Sequence, residues 1–108
     1  MLKLECSTYQ AAIYIAGDIE TAKQVIRKYC RDIGLCVAIK PTLYIFTMGE
    51  QMGYEVGFIN YPRFPKSNDE IFNTAKTIGE LLLNETYQGS FTIVATDRTE
   101  FYSRRTGD

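Results

Sequence analysis

The sequence predicts an α+β fold in which two helices cover one face of an antiparallel sheet. Three observations predict it. Two amphipathic helical stripes alternate with short extended runs in the order β-α-β-β-α-β, with a further extended run at the C-terminal end. The 108 residues match the size that one hydrophobic core organises, about 100–150, so one domain spanning 1–108 is expected. A proline interrupts the second extended run, and this order puts that run at a sheet edge, where a missing N–H is tolerated.

Residues 9–16 are apolar and rich in β-formers, and they stop at Gly17-Asp18, so they read as the first strand. Asp18 is a good N-cap for a helix over 19–33. Ile19, Ala22, Val25, Ile26, Tyr29, Cys30 and Ile33 form its stripe, and Gly34 supplies a left-handed stop. Residues 35–40 and 43–47 flank Pro41 as one kinked edge strand or two short ones. Residues 48–53 read as a hairpin loop and 54–61 as the third strand. Pro62-Arg63-Phe64-Pro65 is a stiff, extended connector. Ser67 and Glu70 match a capping box. The stripe Ile71, Phe72, Ala75, Ile78, Leu81, Leu82, Leu83 then marks a second helix running to near Tyr87. Residues 90–96 form the fourth strand, 101–105 add a fifth, and 106–108 are expected to fray. Right-handed crossovers fold this order into the ferredoxin-like two-layer sandwich.

Composition then removes function classes. Apolar residues at 45 % and charged residues at 23 % exclude wholesale disorder. The net charge of −1, with the acidic excess between residues 41 and 97, argues against a continuous phosphate track. The absence of histidine removes the commonest general base and zinc ligand, and every Ser-His or Cys-His nucleophile. Cys6, Cys30 and Cys36 read as free thiols in a reducing compartment. Asp18, Glu20, Glu50, Glu55 and Asp97 are scattered over the chain with no pairing visible in their spacing. No catalytic residue, metal loop or cofactor is therefore expected. No run approaches the roughly 20 apolar residues of a membrane span, so a soluble cytoplasmic protein without membrane contact is expected.

The extended runs do not alternate cleanly between apolar and polar. Tyr9, Ala11, Ile13 and Ile15 share one face of the first strand, and Tyr14 stands between Ala12 and Ala16 on the other. In the third, Val56 and Phe58 oppose Ile59 and Tyr61. An aromatic sheet face left uncovered by two helices marks a contact site. Tyr61-Pro62-Arg63-Phe64-Pro65 adds two aromatics and a cation in a pre-ordered segment. Lys23, Arg27, Lys28 and Arg31 make a basic edge on the first helix, and Arg98 with Arg104-Arg105 a second cluster.

Ile13-Tyr14-Ile15-Ala16-Gly17-Asp18 and Gly57-Phe58-Ile59-Asn60-Tyr61 resemble the first- and third-strand signatures of the RNA-recognition motif. That resemblance implies base stacking on Tyr14 and Phe58. Tyr54, Glu55 and Val56 depart from it, because a cation and a stacking ring are expected there. The turn at 13–18, Gly34-Leu35-Cys36-Val37 and residues 60–65 also resemble small accessory proteins of tailed bacteriophages. That implies a mobile-element protein that acts in a bacterial cytoplasm on a host protein's surface. The expected function is a non-enzymatic, protein-binding regulator or inhibitor. It would associate as a homodimer or with a host protein through Tyr14, Phe46, Phe58, Tyr61, Arg63 and Phe64. One alternative is single-stranded RNA binding through Tyr14, Phe58, Lys23 and Arg27; another is a small-molecule-sensing regulatory domain.

Overall fold

The computed structural model describes residues 1–105, so the expected fraying of 106–108 falls outside the described residues. The elements are β1 (Gln10–Ala16), α1 (Ile19–Ile33), β2 (Ala38–Phe46), β3 (Gly49–Ile59), α2 (Asn68–Glu85), β4 (Ser90–Ala95) and β5 (Thr99–Ser103). All strands join one antiparallel sheet in the order β2-β3-β1-β4-β5. This is the expected α+β sandwich, with the ferredoxin-like order of four strands and β5 added beside β4.

Both helices begin and end where their caps dictate. The Asp18 carboxylate accepts the Thr21 N–H at 2.9 Å, and Gly34 turns left-handed at φ 75° while its N–H reaches the Cys30 carbonyl at 2.8 Å. Ser67 and Glu70 form the capping box of α2. At its other end, the Arg104 guanidinium donates to the Leu83 carbonyl at 2.9 Å and the Asn84 side chain at 2.8 Å, so a residue read as part of a basic cluster works as a cap. α2 carries most of the helical burial through Ile71, Phe72, Ala75, Ile78, Leu82 and Leu83, whereas α1 buries only Ala22 and Ile26 fully. Against them, β1 presents Ala11, Ile13 and Ile15, β3 presents Tyr54, Val56 and Phe58, and β4 presents Phe91 and Ile93. Each large apolar side chain in this layer stabilises the fold by about 1.5–3 kcal/mol.

Several boundaries differ from the sequence reading: β2 begins at Ala38 rather than at 35, and β5 spans Thr99–Ser103 rather than 101–105. β2 runs unbroken through Pro41, opposite Tyr54, because at the sheet edge the proline nitrogen points away from the ladder. Residues 49–53 are the start of β3, not a loop, so Thr47-Met48 alone turns the chain, with Met48 at φ 74°. Gly53 lies in the ladder because a Cβ there would overlap the Tyr44 ring and the Ile15 carbonyl oxygen. The tip of this hairpin leaves Ile45, Phe46, Met48 and Met52 exposed.

Gly79 lets α2 approach β4: a Cβ there would overlap the ring of Phe91, itself 2 % exposed and stacked on Tyr102 with centroids 5.1 Å apart. Gly79→Ala should therefore lower stability by up to about 2 kcal/mol in urea denaturation, since overpacking costs roughly 1–3 kcal/mol against a helix-propensity gain of about 1 kcal/mol. A stabilised variant would contradict this packing. Burial foremost raises Tyr9, Tyr54 and Tyr102 to about 12 from 10.0; Asp97 reinforces the shift at Tyr9, and Glu100 at Tyr102. Because the unfolded chain loses these protons first, their contribution is complete below pH 10 and disappears as the pH climbs towards 12. Thermal melts followed by circular dichroism should show flat stability just below pH 10 and a steep fall above it.

Candidate functional site

The helices leave the far face of the sheet open, and strand register decides what stands there. One row of facing residues runs Ala38, Gly57, Ala12, Val94 across β2, β3, β1 and β4. The next runs Lys40, Glu55, Tyr14, Thr92, Phe101 and reaches β5. With strands about 4.8 Å apart, Ala38, Gly57 and Ala12 form a floor on the order of 10 Å wide with almost no side chain on it. The second row rises beside it as a wall. The result is a shelf-like concavity of about 570 Å³, closed on its other side by Ile59 and Tyr61. Its size suits a small organic molecule.

The wall has its own chemistry. Glu55 is held among β2 and β1 side chains with 16 % of its side chain exposed. Its carboxylate accepts the Thr42 hydroxyl at 2.8 Å and faces the Lys40 ammonium at 3.8 Å. Tyr14 sits directly across the strand pair from it. Burial first, and the Glu55 charge second, push the Tyr14 hydroxyl above its ordinary 10.0. Tyr44 lies over Gly53 and donates to the Tyr54 carbonyl at 2.8 Å; burial raises it to about 12. The shelf thus combines a flat apolar floor, one anchored carboxylate and a neutral tyrosine ring. Such a floor can carry a flat ring system, and the Glu55 carboxylate beside it, facing Lys40 at 3.8 Å, offers an acceptor to a donor group of the same ligand.

The structure separates several residues that the sequence grouped. Tyr14 and Tyr61 border the shelf. Phe58 faces the helices and is 4 % exposed, so it does not share a face with Tyr14 and the expected stacking pair does not exist. This correction follows from the register: Val56 pairs with core Ile13, which turns Phe58 inward and Glu55 outward. Phe46 lies at the hairpin turn, paired with Gly49, away from the shelf. Arg63 and Phe64 are exposed on the connector. Lys23 and Arg27 belong to α1, in the layer covering the other face, and Lys23 pairs with Glu20 at 3.0 Å. The RNA-contact quartet is therefore dispersed. Glu55, Thr42 and the small residues of the floor were not singled out as a site. Glu55 stood among the scattered carboxylates, and a floor made of absent side chains leaves no motif. The signal available was a small residue at each of 12, 38 and 57, among several other small residues of β1 and β3.

The architecture is a compact two-layer α+β sandwich with one open sheet face. Solved structures similar to this chain include a phage SAM lyase in the apo state, with a TM-score of 0.70 and 13 % identity over 100 % of this chain and 98 % of that one. A phage SAM lyase in complex with S-methyl-5′-thioadenosine is similar at a TM-score of 0.62 and 12 % identity, over 100 % and 98 %. No protein-family model and no curated protein matches the sequence. At this identity the likeness is one of fold. It agrees with the phage resemblance and overturns the expectation of a non-enzymatic protein-binding module, because the structures that share this fold are enzymes acting on SAM. Nothing in these comparisons supports the RNA-recognition reading.

If Glu55 holds Tyr14 protonated as the geometry implies, Glu55→Gln should move the Tyr14 titration down towards 10.0, keeping only the part due to burial. Ring-labelled tyrosine NMR across pH 8–12 reads this directly. An unchanged Tyr14 midpoint would remove Glu55 from its environment.

Proposed function

We propose that this chain is an enzyme that binds S-adenosylmethionine (SAM) on the open sheet face and cleaves it as a lyase. The observation that carries this reading is the pairing of a whole-length fold likeness to phage SAM lyase with a shelf whose chemistry suits that substrate. SAM combines a flat nucleoside, a sulfonium cation and an aminocarboxypropyl chain. In this reading the adenosyl part lies on Ala38, Gly57 and Ala12, with Tyr61 at its edge. Glu55, fixed by Thr42, pairs with the ammonium of the chain, a charge that persists through the reaction.

S-Methyl-5′-thioadenosine, held by one of the similar structures, is SAM without the aminocarboxypropyl chain. Forming it from SAM breaks the bond between sulfur and Cγ, and the electron pair stays on sulfur as a neutral thioether. A lyase adds no water. Cγ is then satisfied from within the departing fragment, by closure of its own carboxylate onto Cγ or by loss of a Cβ proton to form an alkene. The positive charge on sulfur vanishes as the bond breaks, so an apolar surround raises the energy of the sulfonium more than that of the transition state. Val94 and the Tyr14 ring, at the margin of the floor, supply that surround. Glu55 adds binding and orientation, and the apolar surround of the sulfonium adds rate.

The purified chain should convert SAM to S-methyl-5′-thioadenosine, followed by liquid chromatography, with NMR of the carbon fragment separating lactone from alkene. Gly57→Leu should abolish binding and turnover without lowering the melting temperature, since a Cβ there meets only Ala38 atoms at 3.9 Å and a strand favours a side chain over glycine. Glu55→Gln should raise KM at least tenfold with a smaller effect on kcat. A chain that neither binds nor cleaves SAM, or a fully active Gly57→Leu, would overturn the reading.

A further inference from the structure

A second concavity of about 530 Å³ lies behind the segment 61–66, between the end of α1, the end of β3 and the start of α2. Leu35, Phe58, Ile59, Phe64 and Ile71 give it apolar walls. Its two charged lining residues are both cations, Arg63 and Lys66, and no aspartate or glutamate lines it. The cations on β2, α2 and the β4–β5 turn (Lys40, Lys76 and Arg98) each have a carboxylate partner. Arg63 and Lys66 have none among the described residues, and the Arg63 guanidinium stands 6.0 Å from the centroid of the Phe64 ring. Arg63 and Lys66 are exposed, as are other cations without a carboxylate partner among the described residues, such as Arg27 and Lys28, but here the two stand together at the rim of an apolar hollow and give it a positive potential.

The hollow is built in advance. Asn60 is 8 % exposed and ties the segment at both ends: its side-chain amide donates to the Ser7 carbonyl at 2.9 Å, and its side-chain oxygen accepts the Lys66 N–H at 2.9 Å. Pro62 occupies the second position of a tight turn closed by the Phe64 N–H to the Tyr61 carbonyl at 2.9 Å. The Tyr61 hydroxyl donates to the Cys36 sulfur at 3.2 Å and anchors the turn to the α1–β2 connection. Little ordering is left to be done when a ligand enters, so the loss of freedom that opposes binding is small.

We propose that this concavity is a binding site for a small organic anion, an apolar body with one carboxylate- or sulfonate-like group. The body lies against Leu35, Ile59, Phe64 and Ile71, and the anionic group meets Arg63 and Lys66. The site adjoins the open-face shelf, with Ile59 and Tyr61 lining both, and opens beside Arg63 and Lys66, whose charge selects against the cationic substrate assigned to the shelf. The proposal rests on the connector and not on the lyase reading, so the two fail separately.

Fluorescence titration with 8-anilinonaphthalene-1-sulfonate, and in parallel with the uncharged N-phenyl-1-naphthylamine, tests it. The sulfonate should bind saturably at one site per chain, at least tenfold tighter than the neutral probe. Thr74→Trp, which fills the hollow from α2, should weaken both probes at least tenfold. Arg63→Glu combined with Lys66→Glu, two exposed changes that spare the core, should weaken only the sulfonate to that degree. Gly57→Leu should leave both affinities unchanged. Absence of saturable binding overturns the proposal, as does equal affinity for the two probes in the unaltered chain. Sulfonate binding that survives the double charge reversal, or that is lost in Gly57→Leu, overturns it equally.

Discussion

The register between β1 and β3 is the constraint on which everything else depends. Ile13 stands opposite Val56 and Tyr14 opposite Glu55, so one pair enters the core and the next faces out. Sliding either strand by one residue would drive Glu55 under the helices and expose Val56. A carboxylate buried there without a partner costs several kcal/mol, and the apolar contacts would vanish with it. The same alternation that seals the core therefore delivers the carboxylate and the ring to the open face. Fold and site are two sides of one ladder.

That economy explains the character of the open face. Two helices cover one side, and the other side has to remain wettable without losing a place for a ligand. It does so by mixing residue types row by row. A bare row of Ala38, Gly57 and Ala12 lies beside a row of Lys40, Glu55 and Tyr14. The carboxylate is not left to wander in solvent: Thr42, two positions beyond Lys40 along β2, fixes it at 2.8 Å. Tyr44 lies over Gly53 next to this group and packs that part of the wall tightly.

Much of the fold was legible in the sequence because it rests on local rules. Asp18, Gly34 and the Ser67/Glu70 box state where helices start and stop, and the stripes of α1 and α2 state which side is buried. The hairpin was misplaced because Gly49 and Gly53 look like turn residues, whereas at 53 the missing side chain makes room for Tyr44 across the ladder. The site was far less legible. Phe58 was read as a partner of Tyr14 because both faces of β3 look apolar, and parity is fixed only once strands pair. Thr42 and Glu55 are 13 positions apart, and Tyr14 belongs to another strand again, so no spacing in the chain announces their meeting. A floor defined by what is missing is the hardest signal of all.

Pro41 has a consequence beyond tolerating its position in β2. An outer strand with free amides along its length offers neighbouring molecules a template for endless lateral growth. Here the row of outward donors is broken in mid-strand, because the pyrrolidine ring puts carbon where a hydrogen would point. A second molecule trying to extend the sheet at this margin finds its ladder interrupted after a few rungs. The exposed Ile45 and Phe46 further along β2 would otherwise make that margin adhesive. One imino acid thus works as insurance against fibre formation in a chain rich in β-formers.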